Sequence, residues 1–170
     1  FYYVQIAPFP EQGNIGVREA QRKTLESTEN TGMAVLMDIG EEDDIHPHNK
    51  QDVGKRLALL ALDKQYGFNY ISSGPKYKSH QAKGTYLYVD FDSVGSGLDF
   101  IGGESGFEIA GKDNRFYPAT AKIIDNRIRL YSKDVKRPMN VRYGWKNWTV
   151  GTLFNKEGLP ASSFSSINFN

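Results

Sequence analysis

The sequence predicts an α/β unit built on a parallel sheet, followed by an all-β module of sandwich or jelly-roll type. Three observations carry this expectation. Two near-continuous apolar runs, Phe1 to Ala7 and Met33 to Ile39, each precede a stretch of helical periodicity. Strand–helix–strand–helix is the order of a parallel sheet, and a strand buried on both faces reads as such a run. Beyond Gly67 the apolar period falls from helical to two, the signature of half-buried strands separated by turns. Between the two regimes lies Ser72-Ser73-Gly74-Pro75, a loop composition that places a domain junction there, with 1–74 on one side and 75–170 on the other.

Taken in order, Phe1-Tyr2-Tyr3-Val4-Gln5-Ile6-Ala7 is aromatic and β-branched and reads as a strand from its first residue. Pro8 to Asn14 is a loop. From Val17 to about Thr28 a helix is predicted, with Val17, Ala20, Thr24 and Leu25 on its inner side. The run Met33 to Ile39 is the second strand, and Gly40 to His48 an acidic loop. Asn49 is an N-cap, Asp52 suits the first turn, and Val53, Leu57, Leu60 and Ala61 recur at helical spacing up to Tyr66. Gly67 then supplies the left-handed residue that ends a helix. Thr85 to Phe91, Phe107 to Ala110, Phe116 to Ile124, Arg127 to Tyr131 and Met139 to Tyr143 are strand candidates, and Leu153 to Asn170 reads as an irregular tail. Two strands cannot make a parallel sheet alone, because their edges would stay unpaired. The chain therefore reads as the C-terminal part of a longer protein, its sheet completed by an N-terminal portion of the same protein.

Composition narrows the function. Among 170 residues, 39% are hydrophobic and 13% aromatic, enough for a sizeable core. Lys and Arg number 21 against 20 Asp and Glu, a formal charge of +1. So even a balance argues against a general nucleic-acid binder or a binder of anionic membranes. There is no cysteine, which excludes disulfides, thiol nucleophiles and zinc–thiolate sites.

The chemistry concentrates in Glu41-Glu42-Asp43-Asp44-Ile45-His46-Pro47-His48, a loop between a predicted strand and a helix, where open α/β sheets build their sites. A neutral imidazole at His46 can take a proton from a hydroxyl nucleophile and return it to a leaving alcohol. A carboxylate on the other ring nitrogen fixes the tautomer and steadies the imidazolium, and several carboxylates of this loop are near enough in sequence to serve. From spacing alone, solvated polar surface and a sparse metal site made of Asp43, Asp44, His46 and His48 stay open beside the catalytic reading. Gly103-Glu104-Ser105-Gly106 has the outline of a nucleophile elbow but lacks its second glycine, and reads as a turn.

The stretch Asp43-Asp44-Ile45-His46-Pro47-His48-Asn49-Lys50-Gln51-Asp52-Val53-Gly54-Lys55-Arg56-Leu57-Ala58 resembles the C-terminal signature of the sialate O-acetylesterase family of SGNH-type serine esterases. Tyr3 to Pro8, Arg18 to Gln21, Asn30 to Val35, Gly106 to Gly111, Val141 to Trp145 and Leu153 to Ala161 extend the resemblance over essentially the whole chain. It implies a flavodoxin-like parallel sheet over 1–74, a β-sandwich accessory module after it, His46 as the catalytic histidine, and either Asp43 or Asp44 as its partner, or a Ser–His dyad with the orienting role filled elsewhere. It implies an acetyl ester of a sugar as substrate, a 9-O-acetyl sialic acid first and acetylated plant polysaccharide of the acetylxylan kind next. It implies no metal or organic cofactor, and a periplasmic or secreted location. The family's Gly-Gln-Ser-Asn block, which carries the nucleophilic serine, does not occur here, so the chain alone is expected to be inactive. Tyr143, Trp145 and Trp148 read either as sugar-stacking aromatics or as seals of the junction between modules. Gln21 and Arg18 read as structural or substrate-touching. A non-catalytic carbohydrate-binding module is the remaining alternative.

Overall fold

The computed structural model describes residues 1–103 and 106–167. It opens with β1 (Tyr2–Val4), α1 (Asn14–Ser27), β2 (Gly32–Ala34) and α2 (Lys50–Lys64). β1 and β2 pair in parallel, Tyr3 opposite Met33. The strands that follow are β3 (Lys76–Lys83), β4 (Tyr86–Asp92), β5 (Leu98–Phe100), β6 (Phe107–Ala110), β7 (Phe116–Pro118) and β8 (Thr120–Ile124). After them come β9 (Arg127–Tyr131), β10 (Asn140–Tyr143), β11 (Leu153–Asn155) and β12 (Phe164–Ser165). They form antiparallel sheets in the orders β3-β4-β9-β8 and β12-β10-β6-β7, with β5 and β11 as a separate pair.

The fold is thus mostly β, and the predicted flavodoxin-like α/β domain is corrected: among the described residues the parallel sheet is one pair of three-residue strands. The apolar runs misled because burial here does not come from sheet neighbours. β1 is only half-buried and Phe1 is exposed. The second run leaves the sheet after Ala34, and Leu36 and Met37 are then buried in irregular chain. The Gly151 amide donates to Met37 O at 2.6 Å, so the segment that covers this run is the loop after β10. A Cβ on Gly151 would lie 2.7 Å from Met37 Cβ, so only glycine permits that approach.

The two helices differ in legibility. α2 begins where expected, with the Asn49 side chain accepting from the Asp52 amide at 3.1 Å, and buries Leu60. α1 begins three residues earlier than predicted and buries a different face. Val17 is 47% exposed, while Arg18 is fully buried. The guanidinium of Arg18 donates to Asn147 O at 3.0 Å, to Lys146 O and to Asn14 Oδ1, and Nε to Ser163 Oγ at 3.3 Å. Burial pushes its pKa down to about 10. A helix docked by a hydrogen-bonded charge leaves no apolar stripe to read.

The core lies between the two four-stranded sheets. Leu87, Val89, Ile128 and Leu130 of one face Phe107, Ile109, Val141 and Phe164 of the other, and all are buried. Strict alternation explains the first set: Tyr86, Tyr88 and Asp90 point out where Leu87, Val89 and Phe91 point in. Phe164 is the hub, its ring centroid 4.4 Å from that of Tyr77 and 5.9 Å from that of Phe91. The segment predicted as an irregular tail therefore supplies two strands and a central core residue. No helix among the described residues is long and apolar enough to cross a membrane.

Candidate active site

The loop that follows β2 is fixed at its base by an ion pair. Arg56 of α2 donates to both carboxylate oxygens of Asp38, at 2.8 and 2.6 Å, and to Val35 O at 2.6 Å. Both side chains are largely buried. At the far end Lys50 Nζ donates to Pro47 O at 2.6 Å, and Pro47 is buried. The loop is held at both ends, and its polar middle projects into solvent.

Within that middle, Asp44 accepts the His46 backbone amide at 2.7 Å, and the same oxygen lies 3.3 Å from His46 Nδ1. The amide contact closes a two-residue turn of the kind Asp favours. It places the carboxylate beside the ring, and it holds the Asp44 carboxyl below the usual range, with the ring contact adding to this. Asp43 is exposed and has no hydrogen-bond or ion-pair partner among the described residues. Of the two predicted carboxylates, the structure brings only Asp44 to His46. Nε2 of His46 has no hydrogen-bond partner among the described residues, and its side chain is 83% exposed.

A second pair was not legible in the sequence. Glu41 accepts the His48 amide at 2.8 Å and the His48 ring at 2.5 Å. The contact repeats the Asp44–His46 arrangement across seven residues and draws the loop ends together. The His48 amide and ring hold Glu41 below the ordinary glutamate range, and Glu41 raises His48 above the ordinary imidazole range. A raised His contributes fully below its unfolded value and loses that contribution as pH rises through the folded one. A lowered Glu contributes above its unfolded value and loses it as pH falls. The clamp therefore contributes fully between the two unfolded values and is lost as pH passes either folded one. Glu41→Gln is expected to lower the His48 pKa in NMR titrations of the ring protons, and an unchanged value would show that the contact does not persist in solution.

His46 borders a groove of about 270 Å³ at the carboxyl end of β1, lined also by Gln5, Ala7, Gln21 and Leu36. Gln21 spends its amide on the backbone: Oε1 accepts from Ile6 N at 2.8 Å and Nε2 donates to Val4 O at 3.2 Å. It shapes the groove wall and ties α1 to the end of β1. Tyr143 is 1% exposed, and its hydroxyl accepts the Thr152 and Leu153 amides at 2.7 and 2.8 Å. A ring so enclosed has no open face, and its burial favours the second of the two readings, a seal rather than a sugar-stacking aromatic. Trp145 is half-buried and borders a separate groove of about 480 Å³, with Glu108, Thr120 and Thr149. Glu104 and Ser105, of the elbow-like segment, lie outside the described residues. No group of three or more His, Asp or Glu able to hold a metal occurs among the described residues.

No family model matches the chain, and no curated protein matches it. A solved structure does. A carbohydrate acetylesterase from Xanthomonas citri is 41% identical, with a TM-score of 0.92 over 99% of this chain. The likeness is in sequence and fold together. The chain spans 41% of the length of that structure. The match bears on carbohydrate esters as a class and not on sialate esters in particular.

Proposed function

We propose that the chain is part of a carbohydrate esterase that removes O-acetyl groups by acyl transfer, with His46 as its general base and Asp44 orienting it. The observation that carries this reading is the Asp44–His46 pair at the lip of a groove, in a chain that a carbohydrate acetylesterase matches end to end. His46 Nε2 takes the proton of a serine hydroxyl as the serine oxygen bonds to the acetyl carbonyl carbon. The same nitrogen then gives that proton to the sugar oxygen as the ester bond breaks. Water repeats the sequence and releases acetate. Asp44 holds Nδ1–H and stabilises the imidazolium that forms in between. The Gly-Gln-Ser-Asn block of the sialate esterase resemblance does not occur in the sequence, and the reading therefore places the serine on polypeptide outside these 170 residues.

The finer substrate reading follows the sialate esterase resemblance, with a 9-O-acetyl sialic acid first and an acetylated polysaccharide of the acetylxylan kind second. Such substrates are met outside the cytoplasm, which fits a periplasmic or secreted protein. The test is acetate release by the complete protein from an O-acetylated sialic acid and from acetylated xylan. Release from the first alone supports the sialate reading, and release from the second alone replaces it. Release from neither, with sugar binding retained, favours a carbohydrate-binding module.

A further inference from the structure

The outer face of the β3-β4-β9-β8 sheet concentrates charge in a chain that is nearly neutral overall. Register places Lys76 and Lys83 of β3, Lys122 of β8, and Arg127 and Arg129 of β9 on that face, against two carboxylates, Asp90 and Asp92, and the ion pair with Asp92 brings Lys78 to it from the bulge in β3. Asp92 pairs with Lys78 at 2.8 Å, and Asp90 accepts from Arg127 at 2.9 Å. Lys83, Lys122 and Arg129 form no ion pair with a carboxylate among the described residues, and Lys76 feels Asp92 and Asp63 only at longer range. The face thus carries a surplus of four positive charges within a total of +1.

The arrangement costs stability. Lys122 and Arg129 are direct cross-strand partners, and like charges in that position repel. Beside them stand Tyr86 and Tyr131, 38% and 41% exposed, their ring centroids 5.6 Å apart. A repulsive pair next to exposed tyrosines, on the outer face of a sheet, fits a ligand that is extended, anionic and hydroxyl-rich. We infer that this face binds an acidic polysaccharide, its carboxylates meeting Lys83, Lys122 and Arg129 and its hydroxyls meeting the two tyrosines. Single-stranded nucleic acid is the rival polyanion, but it needs open ring faces for base stacking. Here the Arg129 guanidinium lies over the Tyr86 ring at 4.8 Å, and the two tyrosine rings are tilted by 46°. The binding surface stands by itself, while its role in presenting an acetylated acidic polymer to His46 rests on the esterase reading above.

The test uses the whole chain and polygalacturonate as probe, with methyl-esterified polygalacturonate and an oligodeoxythymidylate as comparisons. Binding to polygalacturonate should exceed binding to the methyl ester and weaken as salt screens the charges. Lys122→Glu is the informative variant. It turns a repulsive pair into an attractive one, so the melting temperature should rise while affinity for polygalacturonate falls about tenfold, the size of one lost charge-assisted contact. Lys122→Glu with Arg129→Glu keeps the repulsion and should weaken binding further. Equal binding of acidic and esterified polymers, tighter binding of the oligonucleotide, or unchanged affinity in both variants would overturn the inference. His46→Ala should bind polygalacturonate as the unsubstituted chain does. A protein that binds the polymer but releases no acetate from any sugar ester sinks the esterase reading and leaves the surface intact.

Discussion

His46→Ala is expected to reduce acetate release by the complete protein about a thousandfold, the middle of the range for loss of a general acid–base group. A hydroxyl is a weak nucleophile at neutral pH, and without an imidazole its proton has no acceptor beside the attacked carbonyl. The same imidazole is needed again when the sugar oxygen leaves, so one substitution slows both halves of the reaction. The melting temperature should stay within about 1 °C, because the side chain is 83% exposed and its one side-chain hydrogen-bond partner among the described residues is Asp44. Initial-rate assays and thermal melts on one preparation separate the two effects. Asp44→Asn should cost less, about tenfold to a hundredfold, since the ring keeps its backbone-defined place but loses the charge opposite Nδ1. Asp43→Asn should change the rate less than about twofold, because that side chain reaches neither His46 nor any other described group. A His46→Ala variant retaining half the rate would remove His46 from the mechanism.

The choice between Asp43 and Asp44 shows where sequence reading stops. Both lie within three positions of His46, and spacing treats them alike. The structure separates them through a local detail: the Asp44 oxygen accepts the His46 amide and lies beside the ring, while Asp43 has no hydrogen-bond partner among the described residues. The clamp between Glu41 and His48 escaped for a related reason: it joins residues seven apart in a loop without periodicity. Elements whose burial follows a repeat were legible. α2 announces itself through Asn49, Val53, Leu57 and Leu60, and β4 and β9 through alternation that puts Leu87, Val89, Ile128 and Leu130 inside. Elements buried by other means were not. α1 docks through the Arg18 guanidinium, and Phe164 enters the core from a two-residue strand in a Ser-rich tail. The expectation of a parallel α/β domain failed on the same ground: an apolar run states that side chains are buried, not what buries them. Leu36 and Met37 are covered where an irregular loop meets them at Gly151.

That dependence on non-repeating contacts makes Asp38 the position where loop and fold meet, and Asp38→Ala is expected to cost about 3 kcal/mol of stability. The Arg56 guanidinium would keep Val35 O as an acceptor but lose both carboxylate oxygens, in a site where Arg56 is 8% and Asp38 15% exposed. A buried cation stripped of its counterion is more destabilising than the absence of both, because the pair's net contribution is small and the unpaired charge's penalty is large. For a chain of this size the melting temperature should fall about 6–12 °C. Asp38→Leu combined with Arg56→Met should recover most of that loss, and calorimetry on the two variants reads the difference. In the complete protein at a temperature where both variants stay folded, the double variant should still lose acetate release. Its core is repacked, but the bidentate anchor that holds the chain ahead of Glu41, Asp44 and His46 is gone. If stability and rate recovered together, Arg56–Asp38 would be a packing feature only, and the aim of His46 would have to be set by the Lys50–Pro47 contact at the other end of the loop.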